Sequence, residues 1–212
     1  MLQKLRDTII YYDHVAWYYL NTQWHNSFLD AFIPFLRNPM FWVPLYFFLA
    51  LFMPMQFRRK GFIWCGFFLL AFVISDQVSA SLLKPFFHRL RPCQNPYLTD
   101  IIHRLVDCGG KFGFPSSHAS NHFAIGIFMA ATLGKLAKWV WPVAVIWALS
   151  VSFAQVYVGV HYPLDVTCGG LLGTIIGLGT GRIFNRYYDF SQATGNESRV
   201  ESKVVRDHDF TS

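Results

Sequence analysis

Leu164-Asp-Val-Thr-Cys-Gly-Gly-Leu-Leu-Gly-Thr-Ile-Ile-Gly-Leu-Gly-Thr-Gly-Arg-Ile-Phe184 is long and apolar enough to cross a bilayer, which takes about 20 mainly apolar residues. Its glycines Gly169, Gly170, Gly173, Gly177 and Gly181 recur largely at three- and four-residue steps. That spacing predicts a helix with one smooth face for close packing against a neighbour.

Four more stretches meet or approach the same length: Pro39 to Phe57, Gly61 to Leu83, Ser120 to Leu136, and Trp139 to Val158. The composition fits such spans. Hydrophobic residues make up 53% of the chain and charged residues only 14%, whereas a soluble domain needs about 25% charged residues to cover its surface. Five buried helices of a soluble bundle would leave too few polar residues for the outside. The expectation is an all-α integral membrane bundle of five transmembrane helices, six if the preceding segment also crosses.

That segment, Tyr11 to Leu36, is aromatic but interrupted by Asp13, His14, Asn21, Gln23, His25, Asn26 and Asp30. It reads as one or two amphipathic helices lying in the membrane interface. The domain plan is then an interfacial segment 1–38, a transmembrane domain 39–187 and a polar, disordered cytoplasmic tail 188–212. Within that tail, Asn196-Glu197-Ser198 matches a glycosylation acceptor, a pattern that also arises often by chance. Met1 to Asp13 lacks the apolar core and cleavage site of a secretory signal, so insertion is expected to rest on the internal spans.

Net charge is +6, but the basic residues cluster at the ends of apolar runs, not along a stripe. This argues against nucleic acid as a partner and for a membrane and an anionic substrate. With five spans, Arg58, Arg59, Lys60, Lys135, Lys138, Arg182 and Arg186 share one side. The positive-inside rule places that side in the cytoplasm. The loop Lys84–His118 and the turn Gly159–Pro163 then meet at the periplasmic or outer face of the cell membrane.

Three motifs stand on that face: Lys84-Pro-Phe-Phe-His-Arg-Leu-Arg91-Pro92, Pro115-Ser116-Ser117-His118, and Tyr157-Val-Gly-Val-His161-Tyr-Pro-Leu-Asp165. Phosphoryl transfer needs positive charge around the equatorial oxygens and an in-line nucleophile. Lys84 and Arg91 offer the charge, Arg91 through a planar fork that can hold two oxygens. As anchors at a helix end they would merely snorkel; their place beside two histidine motifs favours phosphate. Ser116 and Ser117 open a helix, whose free N–H groups attract anions. His161 and Asp165 are spaced for a carboxylate to hold an imidazole tautomer. The bland alternatives are a helix cap and a structural His–Asp pair.

In order and spacing, the three motifs together resemble the phosphatidic acid phosphatase type 2 (PAP2) superfamily, over roughly residues 39 to 185. That family is marked by Lys, six residues, Arg-Pro; by Pro-Ser-Gly-His; and by Ser-Arg, five residues, His, three residues, Asp. The resemblance implies a membrane lipid phosphatase working without metal or cofactor. It implies His161 as nucleophile passing through a phosphohistidine, His118 as general acid and Asp165 as the orienting carboxylate. It also implies a phosphate cradle of Lys84, Arg91, Ser116, Ser117 and the residue at 155. An outward site fits undecaprenyl diphosphate first, with phosphatidylglycerophosphate, phosphatidate and lipid A phosphate as further substrates of the same chemistry. A non-catalytic lipid-phosphate binding or transport protein of this fold is the alternative, and five apolar spans argue against a soluble haloperoxidase. The oligomeric state is left open.

Two residues depart from the family pattern. Ser117 stands where the family has Gly, and Ala154-Gln155 where it has Ser-Arg. Gln155 can donate hydrogen bonds but carries no charge. Arg89, Arg104 and Lys111, in the same loop, are the expected substitutes. His118 and His122 have the spacing of zinc ligands, but the Glu that a metalloprotease places between them is absent, so no metal is expected and His122 reads as lining a helix interface. Asp76, inside a span, should join a buried network. Cys93 and Cys108 could be bridged if their loop meets an oxidising compartment.

Overall fold

The computed structural model describes residues 1–190. The segment from Ser191 onward, with Asn196-Glu197-Ser198, lies outside the described residues. Seven helices carry the described chain: α1 Leu2–Tyr18, α2 Ser27–Arg37, α3 Pro39–Phe57, α4 Arg59–Phe87, α5 Ser117–Leu133, α6 Val140–Tyr157 and α7 Pro163–Tyr188.

Four of these, α3, α4, α6 and α7, are long and apolar enough to cross a membrane. The expectation of five or six spans is therefore corrected to four. The stretch Ser120–Leu136 belongs to α5, which at 17 residues is shorter than each of the four and opens on polar turns. Its first turns hold Ser117, His118, Ser120, Asn121 and His122, and 13 of its 17 residues are buried. A helix sheathed in protein needs neither full length nor full apolarity, and its apolar half imitates a lipid-facing run. Tyr11–Leu36 does not form a sixth span, because it is divided between α1, a π-helical turn Tyr19–Gln23 and α2.

Around this buried axis the outer helices turn their apolar side chains outward. Phe41, Phe47, Phe48 and Phe52 of α3 and Phe62 and Leu69 of α4 are exposed, as a lipid-facing surface requires. The polar groups of α5 pair inward. Ser75 and Ser120 share a hydrogen bond of 2.7 Å, Asn121 Nδ2 donates to Asp76 Oδ1 at 3.0 Å, and Trp64 Nε1 donates to Thr132 Oγ1 at 2.8 Å. Asp76, half-buried, thus pairs with Asn121.

The glycine face of α7 lies against α5, and the two run parallel. A Cβ at Gly169 would stand 2.4 Å from the Ser116 carbonyl oxygen, one at Gly173 2.1 Å from that of Ser120, and one at Gly177 2.5 Å from that of Ala124. Only hydrogen fits these positions. Gly173→Ala is accordingly expected to force the helices apart and cost about 1–3 kcal/mol, read as a Tm in detergent lowered by several degrees. Gly179→Ala, where a Cβ meets nothing within 4 Å, should leave Tm unchanged.

The amino-terminal helices pack onto the loop end of the bundle. Trp17 is buried against Val156 and Tyr162, and Ile33 against Ala154, Tyr157, Val158 and Val160. Asn21 Nδ2 donates to the carbonyls of Tyr157 (2.7 Å) and His103 (2.8 Å). His103 and Tyr157 both meet Asp30 Oδ1, at 3.0 and 2.7 Å. A disulfide joins Cys93 to Cys108, bracing the loop between α4 and α5.

Candidate active site

Helix ends build the site. Near its end α4 widens into π geometry over Gln77–Leu83, a local distortion common at functional sites. Ser79 Oγ and Lys84 Nζ both donate to Ser117 Oγ, at 3.0 and 2.8 Å. Ser116 caps α5, its Oγ accepting from Ala119 N at 3.4 Å. Its own N–H donates to the Asp165 carbonyl at 3.0 Å. The starts of α5 and α7 are thereby stitched together.

Gly159, at φ +83°, turns the chain out of α6 as glycine readily does. The carbonyl of Gln155 then accepts from both Val160 N and His161 N at 3.2 Å. His161 follows, fully buried. Its Nδ1 lies 3.4 Å from Asp165 Oδ2, and its Nε2 lies 3.3 Å from an Arg91 terminal nitrogen. A guanidinium only donates, so Nε2 accepts and the ring proton sits on Nδ1, facing the carboxylate. The lone pair on Nε2 therefore points at the arginine end of the site.

Asp165 is saturated. Besides the imidazole it accepts from Tyr162 N at 3.0 Å, capping α7, and from Arg89 at 2.6 Å. Arg89 also donates to Asp13 of α1, whose other oxygen accepts from Leu164 N at 2.7 Å. Gly113 closes the site from the loop. A Cβ there would be 3.1 Å from both Arg91 Cγ and Asp165 Oδ2.

His161, Asp165, Arg91, Lys84 and Ser117 thus meet at one end of the bundle, with Ser116 as a cap behind them. His118, half-buried on the first turn of α5, interacts electrostatically with His161 and Lys84. Gln155 is fully buried, and neither polar atom of its amide has a partner. His122 turns into the helix interface, where Nδ1 donates to the His118 carbonyl at 2.9 Å and the ring stands edge-on to Trp147. Of the expected substitute cations, Arg89 is held between two carboxylates, and Arg104 and Lys111 are exposed. Sequence reasoning named Asp13 only as a polar interruption of an aromatic segment, and missed the clamp that it forms with Arg89.

The PAP2 superfamily model matches residues 65–189. A lipid A 4'-phosphatase of Bacteroides thetaiotaomicron is 33% identical over 153 residues, 70% of this chain and 67% of that protein. Undecaprenyl-diphosphatase BcrC of Bacillus subtilis is 28% identical over 167 residues, 78% of each chain. The crystal structure of a transmembrane PAP2-type phosphatidylglycerolphosphate phosphatase from Bacillus subtilis has the same fold, with TM-score 0.69 at 22% identity, covering 86% of this chain and 89% of that one. The chain belongs to the PAP2 superfamily. It is a multi-pass membrane enzyme, a metal-independent lipid-phosphate hydrolase.

Proposed function

We propose that the enzyme removes a phosphate from a phosphorylated lipid at the outer face of the cell membrane, through a phosphohistidine on His161. The observation that carries this reading is the imidazole of His161, with one nitrogen on Asp165 and the other under Arg91, at the bundle end where Lys84, Ser117 and His118 converge. Arg91 moves from Nε2 onto the phosphate oxygens, Lys84 and the α5 N-terminus hold the others, and Gln155 donates from its unpartnered amide. The Nε2 lone pair then bonds to phosphorus as the P–O bond to the lipid breaks. Burial, with His161 and the nearby cations, holds His118 down to about 3 before substrate binds, so His118 takes up a proton as the phosphate anion arrives and passes it to the departing oxygen. In the second step His118 takes a proton from water, whose oxygen bonds to phosphorus as the P–N bond breaks.

Two observations support the outward orientation. The Cys93–Cys108 disulfide lies in the loop that forms the site, and disulfides persist in oxidising compartments. At the opposite end, Lys60 and Lys135 meet Asp189, among the arginines and lysines that favour the cytoplasm. Likeness to a lipid A 4'-phosphatase favours a phosphate monoester on a glycolipid, ahead of the undecaprenyl diphosphate that the motifs first suggested. The diphosphate stays as the second reading, on the longer match to BcrC.

Phosphate release by purified protein across a panel of lipid phosphates tests the reading, and absence of turnover on every member would refute it. The same assay carries a pH prediction. Burial, aided by Arg91 and Lys84 against the pull of Asp165, pushes His161 down to about 4. The neutral ring is the nucleophile, so its contribution is complete at neutral pH and disappears as pH falls through about 4. Once the substrate's own ionisation near pH ~6 is allowed for, the acid limb of kcat/KM is expected near 4. An enzyme group titrating near the ordinary histidine value of about 6.5 would contradict this.

A further inference from the structure

We propose that Arg37, the last residue of α2, binds the substrate phosphate beside Arg91 and His118, supplying the positive charge that Gln155 lacks. The inference rests on the phosphatase reading above and adds a residue from outside the three motifs.

Asp165 and Asp13 are bridged by Arg89, and Asp76, which accepts a hydrogen bond from Asn121, acts on Lys84. Arg37 has neither hydrogen bond nor ion pair among the described residues, and its Nε is buried without a partner. Its charge nonetheless acts on both Arg91 and His118. Two guanidiniums that share no ion pair repel, an effect that Asp165 offsets only in part at Arg91, and partial burial increases the cost. An anion resolves that conflict, and a phosphate is the anion this site is built to take.

The local fold explains how Arg37 comes to be there. Ile33 and Arg37 are four residues apart and share a helix face. Ile33 is pinned in the cluster of Ala154, Tyr157, Val158 and Val160, which Leu36 also joins. Arg37 is thereby carried toward the segment from Gln155 to His161. The turn that follows is fixed as well, since Asn38 Oδ1 caps α3 by accepting from Met40 N at 3.0 Å and Trp42 Nε1 donates to the Leu36 carbonyl at 2.7 Å. Gln155 is the complementary observation, a neutral, fully buried amide whose oxygen and nitrogen both lack protein partners. The bland role for Arg37, a cation favouring the C-terminal dipole of α2, would leave phosphate binding untouched.

The test uses the full chain in detergent, with inorganic phosphate titrated calorimetrically and lipid-phosphate turnover measured in parallel. Arg37→Ala is expected to weaken phosphate binding and lower kcat/KM by about 10–100-fold, the usual weight of a charge-assisted contact. Arg37→Lys should recover part of the loss, because it restores charge without the fork. Gln155→Arg placed on Arg37→Ala should recover at least about tenfold, by returning a guanidinium from the other wall. Should Arg37→Ala lower the melting temperature, Arg37→Gln keeps the stem and carries the same comparison. Binding and kcat/KM within about twofold of wild type in both neutral variants would overturn the inference, as would failure of wild type to bind phosphate. If wild type binds phosphate but hydrolyses no lipid phosphate, the functional reading fails while the titration still decides the place of Arg37.

Discussion

His161→Ala is expected to lower kcat by about 10⁴-fold or more, the scale on which loss of a catalytic nucleophile is felt. The imidazole is fully buried and its tautomer is fixed by Asp165 on one side and Arg91 on the other. No neighbouring group holds a lone pair in that position. The variant should still fold, because the turn is made by Gly159 and by backbone hydrogen bonds to the Gln155 carbonyl, none of which uses the ring. Rapid quench of the wild-type enzyme with radiolabelled lipid phosphate should leave acid-labile label on residue 161, and none in the variant. Turnover in His161→Ala near the wild-type rate would exclude the phosphohistidine route.

His118→Ala is expected to cost about 10²–10⁴-fold, the range for loss of a general acid. Here the diagnostic is how the loss depends on the leaving group. A lipid alkoxide is a poor leaving group and needs the proton, whereas an aryl phosphate with an acidic phenol departs without one. The deficit should therefore shrink by at least about tenfold on the aryl ester. An equal loss on both substrates would assign His118 to binding.

Much of the site was legible because its chemistry is concentrated in short segments. Lys84 meets Ser117, and Arg91 and Asp165 flank His161, all within three short segments. The glycine face of α7 was readable for a similar reason, since three- and four-residue steps have one geometric meaning on a helix. The reading failed where burial replaced lipid. Ser120–Leu136 has the apolar content of a span, but its neighbours are α4, α6 and α7, and composition alone does not distinguish a methyl group of protein from one of lipid. Arg89 was expected, with Arg104 and Lys111, to substitute at the phosphate because it lies in the same outer loop. Its partner Asp13 lies 76 residues away in the chain, so no local pattern could reveal the clamp. The place proposed for Arg37 was invisible for the same reason, although the uncharged Gln155 already marked a cation as missing from the family pattern.

The contact between α5 and α7 has one more consequence. The two proposed reacting imidazoles ride at the tips of these helices, which touch backbone to backbone at Gly169, Gly173 and Gly177. Membranes differ in thickness, and helices answer mismatch by tilting. In this architecture α7, like α3 and α4, exposes apolar side chains outward, but its backbone contact with α5 makes the two tilt as one unit. The gap between acid and nucleophile is set by the central pair, so the catalytic ruler is insulated from the width of the sheet it sits in.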